Sequence, residues 1–133
     1  MSPFSIYLYG PLGGPLPVDF ETLAERLSAL PNMYLEMDGS WVWTGQQAGG
    51  RWQLDGMIYD ASGKVQYIDL KGSCPLPEWQ LLLSNCNYRW REKPPSDESL
   101  PAFPGERWAV LRIPEQESWQ LEQFEQEIWG IAE

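Results

Sequence analysis

Two runs rich in Trp, Ile, Tyr, Leu and Val, in which apolar and polar residues alternate over much of the length, flank Asp60-Ala61-Ser62-Gly63-Lys64 in the stretch from Arg51 to Gly72, RWQLDGMIYDASGKVQYIDLKG. A period of two, with Trp, Ile, Tyr, Leu and Val on both sides of a glycine-containing break, predicts a β-hairpin closed by a type I turn and a glycine at positive φ. In that register Asp60 faces Lys64, and the pairing runs back to Leu54 opposite Leu70. One face then carries Trp52, Leu54, Ile58, Ile68 and Leu70, with Gly56 and Gln66 among them. The other carries Met57, Tyr59, Val65 and Tyr67 and sets Asp55 directly opposite Asp69. Like charges opposed across strands destabilise a sheet, so this pair is relieved by Lys71 and Arg51 or is kept for a purpose.

A second hairpin is predicted from Asn32 to Thr44, turned by Asp38-Gly39. A two-residue loop pairs Met37 with Ser40, Leu35 with Val42 and Tyr34 with Trp43. Met33, Leu35, Met37 and Val42 then form the natural core face, and Tyr34, Glu36, Trp41 and Trp43 lie on the opposite one. The connector GQQAGG from Gly45 to Gly50 makes the two hairpins a four-strand antiparallel meander, a sheet type often packed on one face and open on the other.

Elsewhere Phe4, Ile6 and Leu8 alternate with Tyr7 and Tyr9 as a first strand, and Arg107 to Ile113 reads as a last one. A helix runs from an Asp19 N-cap to Leu30, with Phe20, Leu23, Leu27 and Leu30 on one stripe and Pro31 at its end. A second lies within SCPLPEWQLLLSNC, burying Trp79, Leu82, Leu83 and Cys86. A third spans Glu115 to Ala132 on the stripe Leu121, Phe124, Ile128 and Ile131. Between them, Asn87 to Glu106 is a proline-rich loop whose Arg89, Arg91 and Lys93 are expected to dock on an acidic patch of the same chain. The predicted class is α+β: an antiparallel sheet of about five or six strands, with about three helices packed mainly on one face, in a single domain spanning residues 1–133.

Composition narrows the function. The 9 basic and 19 acidic residues give a net charge of −10, which repels phosphate backbones and makes nucleic acid an unfavourable partner. No apolar run reaches the roughly 20 residues that span a bilayer, and no basic segment precedes an apolar one at MSPFSIYLYG, so no membrane association and a cytoplasmic location are expected. The segment GPLGGPLP after the first strand lacks a phosphate cradle's Lys-Ser/Thr ending, and its prolines remove N–H donors. The chain has no histidine, which excludes Ser-His-Asp and Cys-His hydrolysis and the common zinc sites. No cofactor or metal is expected. Cys74 and Cys86 lie at opposite ends of the second helix, too far apart to be bridged.

Two classes of function follow. In the first the chain is a non-catalytic binding module, with an aromatic sheet face of Tyr34, Trp41, Trp43 and Tyr67 edged by Glu36, Asp55 and Asp69. Its partner is another protein or a second copy in a homodimer. In the second it is a small carboxylate-dependent enzyme on a neutral or sugar-like substrate, with Asp55 and Asp69 as acid and base, because opposed carboxylates push their pKa values apart. A concave pocket around the two carboxylates would favour the second class, and a flat exposed aromatic patch the first.

Overall fold

The computed structural model describes residues 2–88 and 107–130. The first alternating segment forms β1, Phe4–Pro11, with Phe4, Ile6 and Leu8 buried. Helix α1, Phe20–Ser28, starts where predicted: the Asp19 carboxylate accepts a hydrogen bond from the Thr22 amide at 2.7 Å and satisfies a donor the helix itself leaves free. Strands β2 (Met33–Leu35), β3 (Ser40–Gln47), β4 (Gly50–Ala61) and β5 (Lys64–Gly72) form the predicted meander. Helix α2 (Leu76–Asn85), strands β6 (Trp108–Arg112) and β7 (Glu117–Gln120) and helix α3 (Leu121–Trp129) follow. The sheet is antiparallel in the order β2-β3-β4-β5-β1-β6-β7, so the fold is α+β with seven strands rather than five or six.

The extra strand is β7. Glu and Gln favour helices, which is why the sequence from Glu115 onward reads as helix. Instead the backbone turns at Gln116, with φ of +56°, and sets Glu117 opposite Arg112 and Trp119 opposite Val110. The pairing also brings the Arg112 guanidinium 4.9 Å from the centre of the Trp119 ring. Helix α3 begins only at Leu121, behind a reciprocal cap between Gln120 and Gln123. Of the predicted loop 87–106, all but the first two residues lie outside the described residues, and with them Arg89, Arg91 and Lys93; Ile131 of the last stripe does too.

Both hairpin loops differ by one residue from the sequence reading, in opposite senses. Between β2 and β3 the loop has three residues, Met37-Asp38-Gly39. The Glu36 amide donates to the Ser40 carbonyl at 2.8 Å, and the Gly39 amide to the Glu36 carbonyl at 3.1 Å. Gly39 takes a φ of +95°, and the Asp38 carboxylate accepts from the Ser40 amide at 2.9 Å. Leu35 therefore pairs with Trp41 and Met33 with Trp43, one residue out of the predicted register. A slip of one residue moves every side chain of a strand to the other face. Trp41 and Trp43 are consequently core residues, 2% and 3% exposed, and the expectation that they share an open face with Tyr34 is overturned.

Between β4 and β5 the loop is the two-residue Ser62-Gly63, both at positive φ as a type I′ turn requires. Ala61 pairs with Lys64, and the extra residue Gln66 then bulges out of register, so that Tyr59 pairs with Tyr67 while Asp60 pairs with Val65. The bulge restores the parity that the shorter loop had changed. Trp52, Leu54, Ile58, Ile68 and Leu70 share one face as predicted and that face is buried, while Val65 crosses to the core side. The pairing has nonetheless moved by two residues: Met57 lies opposite Asp69 and Asp55 opposite Lys71, so the predicted Asp55–Asp69 opposition does not occur.

All three helices pack on the Ile6 and Leu54 side of the sheet. The Phe4 ring meets Phe124 of α3 edge to face at 5.2 Å and Trp79 of α2 at 5.8 Å, and Leu23 and Leu27 of α1 join the same core. Two tryptophans lie across glycines of the neighbouring strand: Trp41 over its partner Gly56, and Trp52 over its partner Gly45. A Cβ at Gly56 would fall 2.0 Å from the Trp41 ring, so the glycine there is a space requirement. Cys74 and Cys86 are free and buried, in line with the sequence reading, and burial pushes both thiols up to about 12.

Candidate functional site

Strand pairing determines what the other side of the sheet presents, because directly paired residues share a face. One row across the strands runs Tyr34, Val42, Asp55, Lys71 and Ser5. The next runs Met57, Asp69, Tyr7 and Leu111. Beyond it Tyr59 pairs with Tyr67, and Tyr9 with Ala109. No helix covers this side among the described residues.

The centre of the face is a group of four tyrosines contributed by three adjacent strands. The Tyr67 ring of β5 stacks on Tyr59 of β4 at 4.7 Å and lies 5.0 and 5.4 Å from Tyr7 and Tyr9 of β1. Burial holds the Tyr67 phenol above its ordinary pKa, and the neighbouring phenols and Asp69 push it the same way. Tyr59 is 40% exposed at one flank of the group, and the other three are half-buried. Met57 and Leu111 extend the apolar surface on either side.

The sequence-predicted residues divide accordingly. Tyr67, Asp69 and Asp55 lie together on the helix-free face. Tyr34 is on the same face, 77% exposed on the edge strand, and Glu36 is exposed in the β2–β3 turn. Trp41 and Trp43 are on the far side of the sheet and inaccessible. Tyr7, Tyr9 and Tyr59 are the members that sequence reasoning left out. Their alternation with Ile6, Leu8 and Ile58 already assigned each to a face, but nothing in the chain indicated that β1 would sit beside β5.

The two aspartates differ in surroundings. Asp55 accepts a hydrogen bond from Gln53 Nε2 at 2.8 Å and has Lys71 opposite it. Asp69 is half-buried, with Met57 on one side and Tyr7 on the other. Burial raises its pKa above the usual carboxylate value, and Lys71 opposes that shift. The two carboxylates sit diagonally on a sheet surface rather than across a pocket. A groove of about 760 Å³ lies elsewhere, at the start of α1, and includes Val18, Thr22, Arg26, Lys64 and Asn87. Within it Arg26 donates to the Asn85 carbonyl and to Asn87 Oδ1, and Asn87 Nδ2 donates to the Pro17 carbonyl.

Among the described residues no group of three or more acidic or cysteine side chains could hold a metal ion, and no helix is long and apolar enough to cross a membrane. No family model matches the chain, and neither the curated proteins nor the solved structures include a significant match to it.

Proposed function

We propose that the chain is a protein-interaction module and that its binding surface is the helix-free face of the sheet, centred on Tyr7, Tyr9, Tyr59 and Tyr67. The observation that carries this reading is the contiguous cluster of four phenol rings, continued by Met57 and Leu111, on a side of the sheet with no helix over it among the described residues. Tyrosine offers a large, stiff contact area with few rotatable bonds and a hydroxyl that bonds to water or to a partner, and it is enriched at binding hot spots. A sheet face is also a rigid platform, so little ordering entropy is lost when it docks.

Photo-crosslinking in cells tests the reading. A benzophenone amino acid in place of Tyr59 should give a discrete protein adduct, whereas the same group at Leu81, exposed on the helical side, should not. An adduct of twice the chain's mass would identify the partner as a second copy. Equal labelling from both positions, or none from Tyr59, would refute the proposal.

A further inference from the structure

We propose that the partner presents a basic segment to this face, with an arginine or lysine side chain set against the tyrosine cluster and paired with Asp69. The proposal rests on the interaction reading above and names the chemistry that the face selects.

The charges on the face are unevenly placed. Along β4, β5 and β1 it carries the carboxylates Asp55 and Asp69 and the cations Lys71 and Arg51, the latter at the far end of β4, where it pairs with Gln46. Lys71 is directly opposite Asp55. Asp69 has Met57 and Tyr7 as its direct neighbours and receives no hydrogen bond among the described residues. A half-buried carboxylate between a thioether and a phenol ring is costly to keep ionised, and burial raises its pKa even though Lys71, two residues along the strand and directly opposite Asp55, partly opposes the shift. A cation delivered by a partner would remove that cost.

The surroundings suit a cation in two further ways. Ring faces attract cations, and the exposed flank of Tyr59 borders the pair Met57 and Asp69. Guanidinium fits best, because it is planar, stacks on aromatic rings and bonds a carboxylate through two N–H groups at once. At longer range, a chain of net charge −10 attracts a basic partner and repels a second copy of itself. A second copy would also bring its own Asp55 and Asp69 to the contact.

Selection from a random peptide library displayed on phage, with the whole purified chain as bait, provides the test. The expected result is enrichment of arginine-containing peptides. Calorimetric titration of one synthesised winner should show loss of binding in Tyr59→Ser and weakening by about tenfold or more in Asp69→Asn. Glu25→Gln, on the exposed side of α1, controls for the general attraction between an acidic chain and a basic peptide and should change affinity by less than about threefold. Melting curves of the variants establish that each is folded. Winners that need Tyr59 but bind Asp69→Asn as well as wild type would overturn the cation pairing and leave the face standing. Winners indifferent to both positions, or no enrichment, would overturn both. A wild-type dimer by sedimentation that Tyr59→Ser dissociates would assign the face to a second copy and overturn the basic partner.

Discussion

Glu125 gives the sharpest test of the packing, because it is an acid where the core is otherwise apolar. It lies in α3 beside Phe124, is 5% exposed, and accepts a hydrogen bond from Trp79 Nε1 of α2 at 2.9 Å. Burial pushes its pKa from 4.5 to about 7; the Trp79 bond pulls it down and Glu122, three residues earlier on the helix, pushes it further up. The folded state therefore holds a proton that the unfolded chain releases, and this sets the sign. Below the unfolded value of 4.5 the side chain is neutral in both states and costs nothing; as pH rises towards 7 stability falls; above about 7 the full cost is present. With about 1.4 kcal/mol for each pH unit between the two values, the ceiling is about 3 kcal/mol, and residual hydration at the helix surface lowers it to about 1–3 kcal/mol.

Glu125→Gln keeps an acceptor for the Trp79 indole and removes the titration. Urea unfolding of wild type and variant at pH 5, 6, 7 and 8 isolates the effect, since every other group is common to both proteins and cancels in the difference. The chain has no histidine, and Asp19 and Asp38, held low by bonds from Thr22 and Ser40, titrate below this range. The variant should gain about 1–2 kcal/mol on wild type between pH 5 and pH 8, the part of the cost not already present at pH 5, most of it before pH 7. A difference that does not change with pH would show that the carboxyl is hydrated and that α2 and α3 do not close over it as described.

The same packing makes further predictions. Trp41→Ser and Trp43→Ser should each cost about 3–5 kcal/mol by denaturant midpoint, against less than about 1 kcal/mol for Tyr34→Ala; similar losses at all three would place the indoles outside the core. Gly56→Ala should destabilise by about 1–3 kcal/mol or more, because its Cβ would overlap the Trp41 ring, and Gly56→Ala combined with Trp41→Leu should recover part of that loss. Cys74 and Cys86 should not react with a thiol reagent at pH 8 in the native protein and should both react in denaturant; rapid native labelling would contradict their burial.

Much of the fold was legible because the period of two is strong in β1, β4 and β5, and because Asp19, Pro31 and Pro77 punctuate the helices in the expected way. Loop length was less legible. Asp38-Gly39 supports either a two-residue loop or a three-residue loop with glycine at its end, and only the second puts Trp41 and Trp43 on the same face as Leu35 and Met33. That preference is tertiary: it depends on which side of the sheet the helices cover, which the turn itself does not encode. Ser62-Gly63 shows the reverse case, in which a misjudged loop did little damage because a bulge at Gln66 restored the parity. For the candidate face, Asp55, Tyr67 and Asp69 could be reached from one hairpin alone. Tyr7 and Tyr9 could not, since their place beside Tyr67 depends on β1 joining the meander at β5.

The sheet separates its aromatic residues by chemistry, and this separation moves the functional argument from indole to phenol. Trp41, Trp43, Trp52, Trp79 and Trp108 are buried on the helical side, where flat indoles cover glycines and fill the space under the helices. Trp43 and Trp79 find acceptors there, in the Pro31 carbonyl and Glu125, while Trp41 Nε1 has no hydrogen-bond partner among the described residues. Leaving that indole donor unpaired costs about 1–3 kcal/mol, which the ring's contact with Gly56 must offset for the register to hold. On the opposite side the aromatics are tyrosines, whose hydroxyls bond to water when the face is free and to polar groups when it is covered. A surface that must be stable in both states favours the phenol, because the indole offers a single donor and more apolar area to leave wet. The high tryptophan content of the chain therefore accounts for its core, and the four clustered tyrosines are the residues on which recognition would depend.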